Sequence, residues 1–69
     1  MVRLNVAQLL KKRGMTAYGL AKASGLPIAS CYRLARPGGT FRRIEARTVE
    51  RLCKALRCRP GALFVYRPD

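Results

Sequence analysis

Glycine and proline break this chain into runs too short for anything but brief helices and turns. Gly14, Gly25, Pro27, the Pro37-Gly38-Gly39 triplet and Pro60 supply the breaks. They leave room for helices of about two to three turns. Within 69 residues this permits one domain, spanning 1–69, with a thin core. Between the breaks, apolar residues follow helical spacing. Asn5 reads as the N-cap of a first helix, whose Val6, Leu9 and Leu10 recur at i, i+3 and i+4. Lys11, Lys12 and Arg13 fill its last turn, where cations suit the helix dipole, and Gly14 is its left-handed stop. Thr16 caps a second helix to about Ser24, with Leu20 and Ala21 inward and Gly25 as its stop. Gly19 is its weak point, costing about 1 kcal/mol against alanine. Pro27 suits the first turn of a third helix, Ile28 to about Ala35, with Cys31 and Leu34 inward. Arg36-Pro37-Gly38-Gly39-Thr40 is loop.

A fourth helix starts near Glu45 and ends near Arg57, with Val49, Leu52, Cys53 and Leu56 on its apolar face. Glu50 and Lys54 form a favourable i, i+4 pair on its wet face. Pro60 opens a fifth, very short helix ending near Phe64. Val2-Arg3-Leu4 and Val65-Tyr66-Arg67 read as extended segments suited to pair. The expected fold class is all-α with five helices, plus that short pair.

Charge narrows the function classes. Lys and Arg number 15 against 3 acidic residues, a net +12, which points to a polyanionic partner. At 49% hydrophobic the chain is too apolar for a disordered basic tail. The longest apolar run, Ala62-Leu63-Phe64-Val65-Tyr66, falls far short of the ~18 residues a membrane span needs. With no signal peptide at residues 1–6, the expected location is the cytoplasm, in association with the nucleoid. Cys31, Cys53 and Cys58 are odd in number and read as reduced core residues. With no histidine and three acids, no catalytic acid–base pair, metal site or cofactor is expected, and Ser24 and Ser30 lack a base partner. The chain is not expected to be an enzyme, and no effector pocket is evident.

The informative unit is residues 16–35. It reads as two short helices joined by a glycine turn. Ala21 is small where they cross, and Leu26, Cys31 and Leu34 are apolar where the second packs on the first. That is a helix-turn-helix pattern, which holds its second helix proud of the body for the DNA major groove. The stretch Thr16-Ala17-Tyr18-Gly19-Leu20-Ala21-Lys22-Ala23-Ser24-Gly25-Leu26 resembles the core of the Cro/lambda-repressor-like (XRE-type) regulators. Arg47-Thr48-Val49-Glu50-Arg51-Leu52-Cys53-Lys54-Ala55-Leu56 resembles their fourth helix, and Arg59-Pro60-Gly61-Ala62-Leu63-Phe64 the fifth helix of compact bacterial members.

The resemblance implies a five-helix domain that binds double-stranded DNA, and it implies roles for named residues. Ile28, Ala29, Tyr32 and Arg33 would face the bases, with Arg33 bidentate to a guanine edge and Ile28 and Ala29 against thymine methyls. Thr16, Ala17, Lys22, Ser30, Arg36, Arg42 and Arg43 would meet phosphates. Pro27, Ile28 and Ala29 depart from the polar residues common at those positions, which shifts weight toward charge and DNA shape. Structural alternatives stand beside these roles: Ile28 as core or as cover for the surface of the second helix, Tyr32 packed on Arg36, and Arg42 and Arg43 as a solvated cluster.

The expected function is a sequence-specific transcriptional regulator, a repressor that occludes a promoter. A homodimer on an inverted repeat would set its recognition helices about 34 Å apart. Leu63, Phe64, Val65 and Tyr66 are candidates for the dimer surface, and equally for closing the core against Leu4. One alternative is an antitoxin with a toxin partner, which usually brings an added segment that this chain has little room for. Another is a non-specific nucleic-acid binder, which would display more exposed aromatics than the five here.

Overall fold

The computed structural model describes residues 1–68. The elements run β1 (Val2–Leu4), α1 (Val6–Arg13), α2 (Ala17–Ser24), α3 (Ile28–Leu34), α4 (Ala46–Leu56), a 3-10 turn (Pro60–Leu63) and β2 (Phe64–Tyr66). The breaks act as their chemistry dictates. Gly14 and Gly25 take left-handed φ values of 63° and 76° just past α1 and α2, and the Gly25 N–H donates to the Ala21 carbonyl. Thr16 Oγ1 accepts the Gly19 N–H at 3.0 Å, a working N-cap for α2. At the end of α4, Arg57 adopts φ 51° without being glycine. The Cys58 N–H then reaches back to the Cys53 carbonyl at 3.1 Å, closing the last turn of α4.

Three local expectations are corrected. Asn5 sits at the N-cap position of α1, but its side chain makes no cap bond. Its amide instead donates to the Ala62 carbonyl at 3.4 Å, while its backbone N–H donates to Leu63 at 2.7 Å. Pro27 lies outside α3 as the cap residue, extended at φ −58°, ψ 143°, rather than in the first turn. The expected fifth helix is a single 3-10 turn, closed by the Ala62 N–H on the Arg59 carbonyl at 2.9 Å. Four residues are too few to propagate an α-helix, and the chain turns extended at Phe64 (φ −120°, ψ 147°). The five-helix, all-α expectation therefore becomes four α-helices, one 3-10 turn and a small sheet.

That sheet pairs β1 and β2 antiparallel, with Val2 opposite Tyr66, Arg3 opposite Val65 and Leu4 opposite Phe64. Pairing was expected; β2 begins one residue earlier than the sequence suggested, at Phe64. Leu4, Val6, Leu9, Leu10, Leu20, Ala21, Cys31, Leu52, Leu56 and Leu63 form the core, and no polar side chain is buried among the described residues. Val49 and Cys53 are only half-buried on its edge. Leu63 is sealed inside, and the Phe64 ring lies 5.9 Å from that of Phe41. Both close the core, which leaves Val65 and exposed Tyr66 as the outward part of that segment. No described helix is long and apolar enough to cross a membrane.

Gly39 joins the long loop after α3 to the rest of the molecule. It is buried, at φ 60°, and its carbonyl accepts the Leu4 N–H at 2.7 Å. A Cβ there would overlap the Leu4 carbonyl oxygen and lie 2.8 Å from the Leu4 nitrogen. Gly14 also has positive φ, but a Cβ there meets nothing within 4 Å. Gly14→Ala should thus cost only the left-handed penalty, about 1–2 kcal/mol. Gly39→Ala should cost clearly more, because backbone must move as well. Urea denaturation of both variants checks this, and equal destabilisation would show that the backbone around Gly39 yields freely.

Candidate nucleic-acid interface

The turn between α2 and α3 is held by a side chain that sequence reasoning missed. Ser24 Oγ donates to the Leu20 carbonyl at 2.7 Å and accepts the Leu26 N–H at 3.2 Å. One hydroxyl thus closes the end of α2 and fixes the first step of the turn. Its signal was available: a serine in the last helical turn, two residues before the chain resumes, matches the local serine-turn spacing.

Cys31 anchors α3 from below, with no exposed surface. Burial pushes its thiol above the ordinary value, and the neighbouring Ser24 hydroxyl opposes that only in part. With Cys31 inward, the opposite face of α3 is left to solvent. Ile28 is 48% exposed and Tyr32 58%, and Ala29 and Arg33 are also exposed. At the pitch of an α-helix these four fall within about 140° of one another. The core reading of Ile28 is thereby excluded.

The expected phosphate-facing residues divide into groups. Thr16 is exposed at the start of α2; its oxygen accepts the Gly19 N–H, and its proton remains free to donate. Ala17 is half-buried beside it. Lys22 is exposed, with its ammonium 5.0 Å from the centre of the Tyr18 ring, so the pair forms a cation–π contact that sequence reasoning did not anticipate. Arg36 is exposed just past α3. Ser30 is half-buried and turned toward the loop rather than outward.

That loop brings the remaining arginines to α3. Pinned at Gly39 and packed through Phe41, it stands beside the helix and encloses an open groove of about 620 Å³. Arg33 from α3 and Arg42 and Arg43 from the loop all line it. Residues nine and ten apart in sequence thus share one basic rim, and a groove is present where none was expected. No cluster of three or more His, Cys, Asp or Glu able to hold a metal occurs among the described residues.

Comparison with known proteins agrees with this geometry. Residues 5–69 match the family described as the Cro/C1-type HTH DNA-binding domain. The chain is 35% identical over 66 residues to an uncharacterised HTH-type transcriptional regulator, YozG, of Bacillus subtilis (strain 168); the match covers 96% of this chain and 76% of that protein. No solved structure gives a significant match.

The raised Cys31 thiol has a pH consequence. Below its ordinary value of 9.0, folded and unfolded chains both keep the proton, and stability is unaffected. Above it the unfolded chain ionises first, so the contribution is lost as pH rises toward the higher folded value. Cys53 shifts the same way, chiefly by burial and further by neighbouring Cys58. Urea denaturation between pH 8 and about pH 10 should therefore show a decline that is shallower in Cys31→Ala than in the parent. Identical slopes would mean that the fold accommodates the Cys31 thiolate.

Proposed function

This chain belongs to the Cro/C1-type helix-turn-helix DNA-binding domain family, and we propose that it is a transcriptional repressor that reads duplex DNA with α3. The observation that carries the reading is the outward face of that helix. Ile28, Ala29, Tyr32 and Arg33 stand exposed together on a helix fixed from below by Cys31 and at its entry by Ser24. A rigid helix with one free face and no competing internal role suits insertion into the major groove. The similarity to an HTH-type transcriptional regulator supports the regulatory part of this reading.

In this mechanism charge supplies affinity and α3 supplies choice. Arg33 donates two hydrogen bonds to a guanine edge. Ile28 and Ala29 lie against thymine methyls, and Tyr32 reaches a base edge or a phosphate. Thr16, Ala17, Lys22, Arg36, Arg42 and Arg43 hold the two backbones flanking the groove, with Ser30 acting only from behind the rim. A dimer on an inverted repeat would place two such helices about 34 Å apart and exclude polymerase from the promoter. Exposed Tyr66 and half-buried Val65, with exposed Val2 opposite Tyr66 in the sheet, offer apolar surface for such a dimer. No feature of the fold favours the antitoxin reading over this one.

Selection from a random duplex pool at near-physiological salt tests the proposal. Enrichment of an inverted repeat is the expected result; weak, unselective binding would overturn sequence-specific repression. On the selected site, Arg33→Ala should weaken binding by about 1–3 kcal/mol while affinity for random DNA barely changes. Equal weakening on both would make Arg33 a phosphate contact. The double variant Arg42→Ala, Arg43→Ala should weaken all DNA alike and reduce the salt slope by about 0.9 for each phosphate no longer neutralised. An unchanged slope would remove the loop from the interface.

A further inference from the structure

We propose that the groove between α3 and the loop after it binds a small amphipathic organic anion, a carboxylate or sulfonate on an apolar body, in competition with DNA. The groove's volume, about 620 Å³, falls within the range of small-molecule sites. Its floor is Leu26, Leu34, Phe41 and Ile44. Each packs against the core on one side yet stays only half-buried, so apolar surface is left facing solvent inside a concavity. The rim carries Arg33, Arg42 and Arg43 against a single carboxylate, Glu45.

Those two features select the ligand's chemistry. A neutral apolar molecule would cover the floor but strip water from three guanidinium groups without replacing it. A bare anion such as phosphate would satisfy the arginines and leave the floor wet. Only a molecule with both parts meets both demands, its acid group bridging the rim through charge-assisted hydrogen bonds. The groove is also distinct from the outward face. Ser30 and Leu34 turn into it, whereas Ile28, Ala29 and Tyr32 do not line it. Arg33 alone belongs to both surfaces. An occupied groove would therefore draw Arg33 off the base edge and neutralise the loop arginines. This competition rests on the DNA-reading role proposed for α3, whereas the binding itself does not.

The test uses the full chain without DNA, titrated with naphthalene-2-sulfonate and followed by two-dimensional amide NMR. Saturable shifts confined to residues 26–34 and 40–48 are expected. Neutral 2-naphthol and inorganic phosphate should each fail to reproduce them. Arg42→Ala with Arg43→Ala should weaken the probe by about tenfold or more. Ser30→Leu, which fills the groove without touching the arginines, should abolish binding while the dispersed spectrum of the fold persists. Shifts spread over the whole basic surface, equal shifts with phosphate, or full binding to Ser30→Leu would overturn the site. A second arm adds saturating probe to the protein bound to its selected duplex. Release of DNA is expected, and retention of DNA with the groove occupied would overturn the competition. Absence of any DNA binding would instead sink the repressor reading and leave the groove to be judged by the first arm.

Discussion

Like charges crowded onto a small surface set the terms on which this fold exists. Fifteen cations face three acids, and no polar side chain is buried among the described residues. Cohesion rests on ten buried apolar residues and on backbone hydrogen bonds, and it works against a surface that repels itself. Salt relieves that repulsion, and a bound polyanion would relieve it more, by setting fixed negative charges against the cations. Charges that weaken the free protein would then favour a complex with DNA, and binding would add to folding stability by mass action.

Within that constraint α3 divides its circumference among three tasks. Cys31 holds it to the core, Ile28, Ala29 and Tyr32 face out, and Ser30 and Leu34 turn to the groove. Arg33 stands at the boundary between the last two. A helix of only seven residues does this because its neighbours supply the rigidity: the Ser24 clamp at its entry and the Gly39-pinned loop along its flank. Helices this short are marginal in isolation in water, so α3 depends on those neighbours for its stability.

The parts legible in the sequence were those governed by local chemistry. Gly14 and Gly25 as left-handed stops, the Thr16 cap and the alternation of buried and exposed residues in α1 to α3 all depend on neighbours a few residues away. What was hidden depends on distant partners. Asn5 had the right chemistry for a cap, but a carbonyl at Ala62 took its amide. Gly39 looked like any loop glycine until Leu4 arrived against it. Leu63 and Phe64 read equally well as surface or core, and packing against Phe41 and the helices decided between them. The groove could not be read at all, since its walls come from α3, the loop and the start of α4, and its shape belongs to none of them.

The sheet has a consequence for the order in which the interface is assembled. Residues 2–4 meet residues 64–66, so the pairing closes a ring around nearly the whole described chain. Closing it sacrifices chain entropy for contacts that arrive late, whereas the α2–α3 unit needs only contacts within a short span. Arg42 and Arg43 lie on a loop whose anchor is Leu4, a residue of that ring. The α2–α3 unit therefore depends on local contacts, whereas the loop carrying Arg42 and Arg43 depends on the pairing of the two strands. Transient opening of the strand pair would loosen the loop carrying Arg42 and Arg43 while the helix-turn-helix stays formed, giving the two segments different local stability.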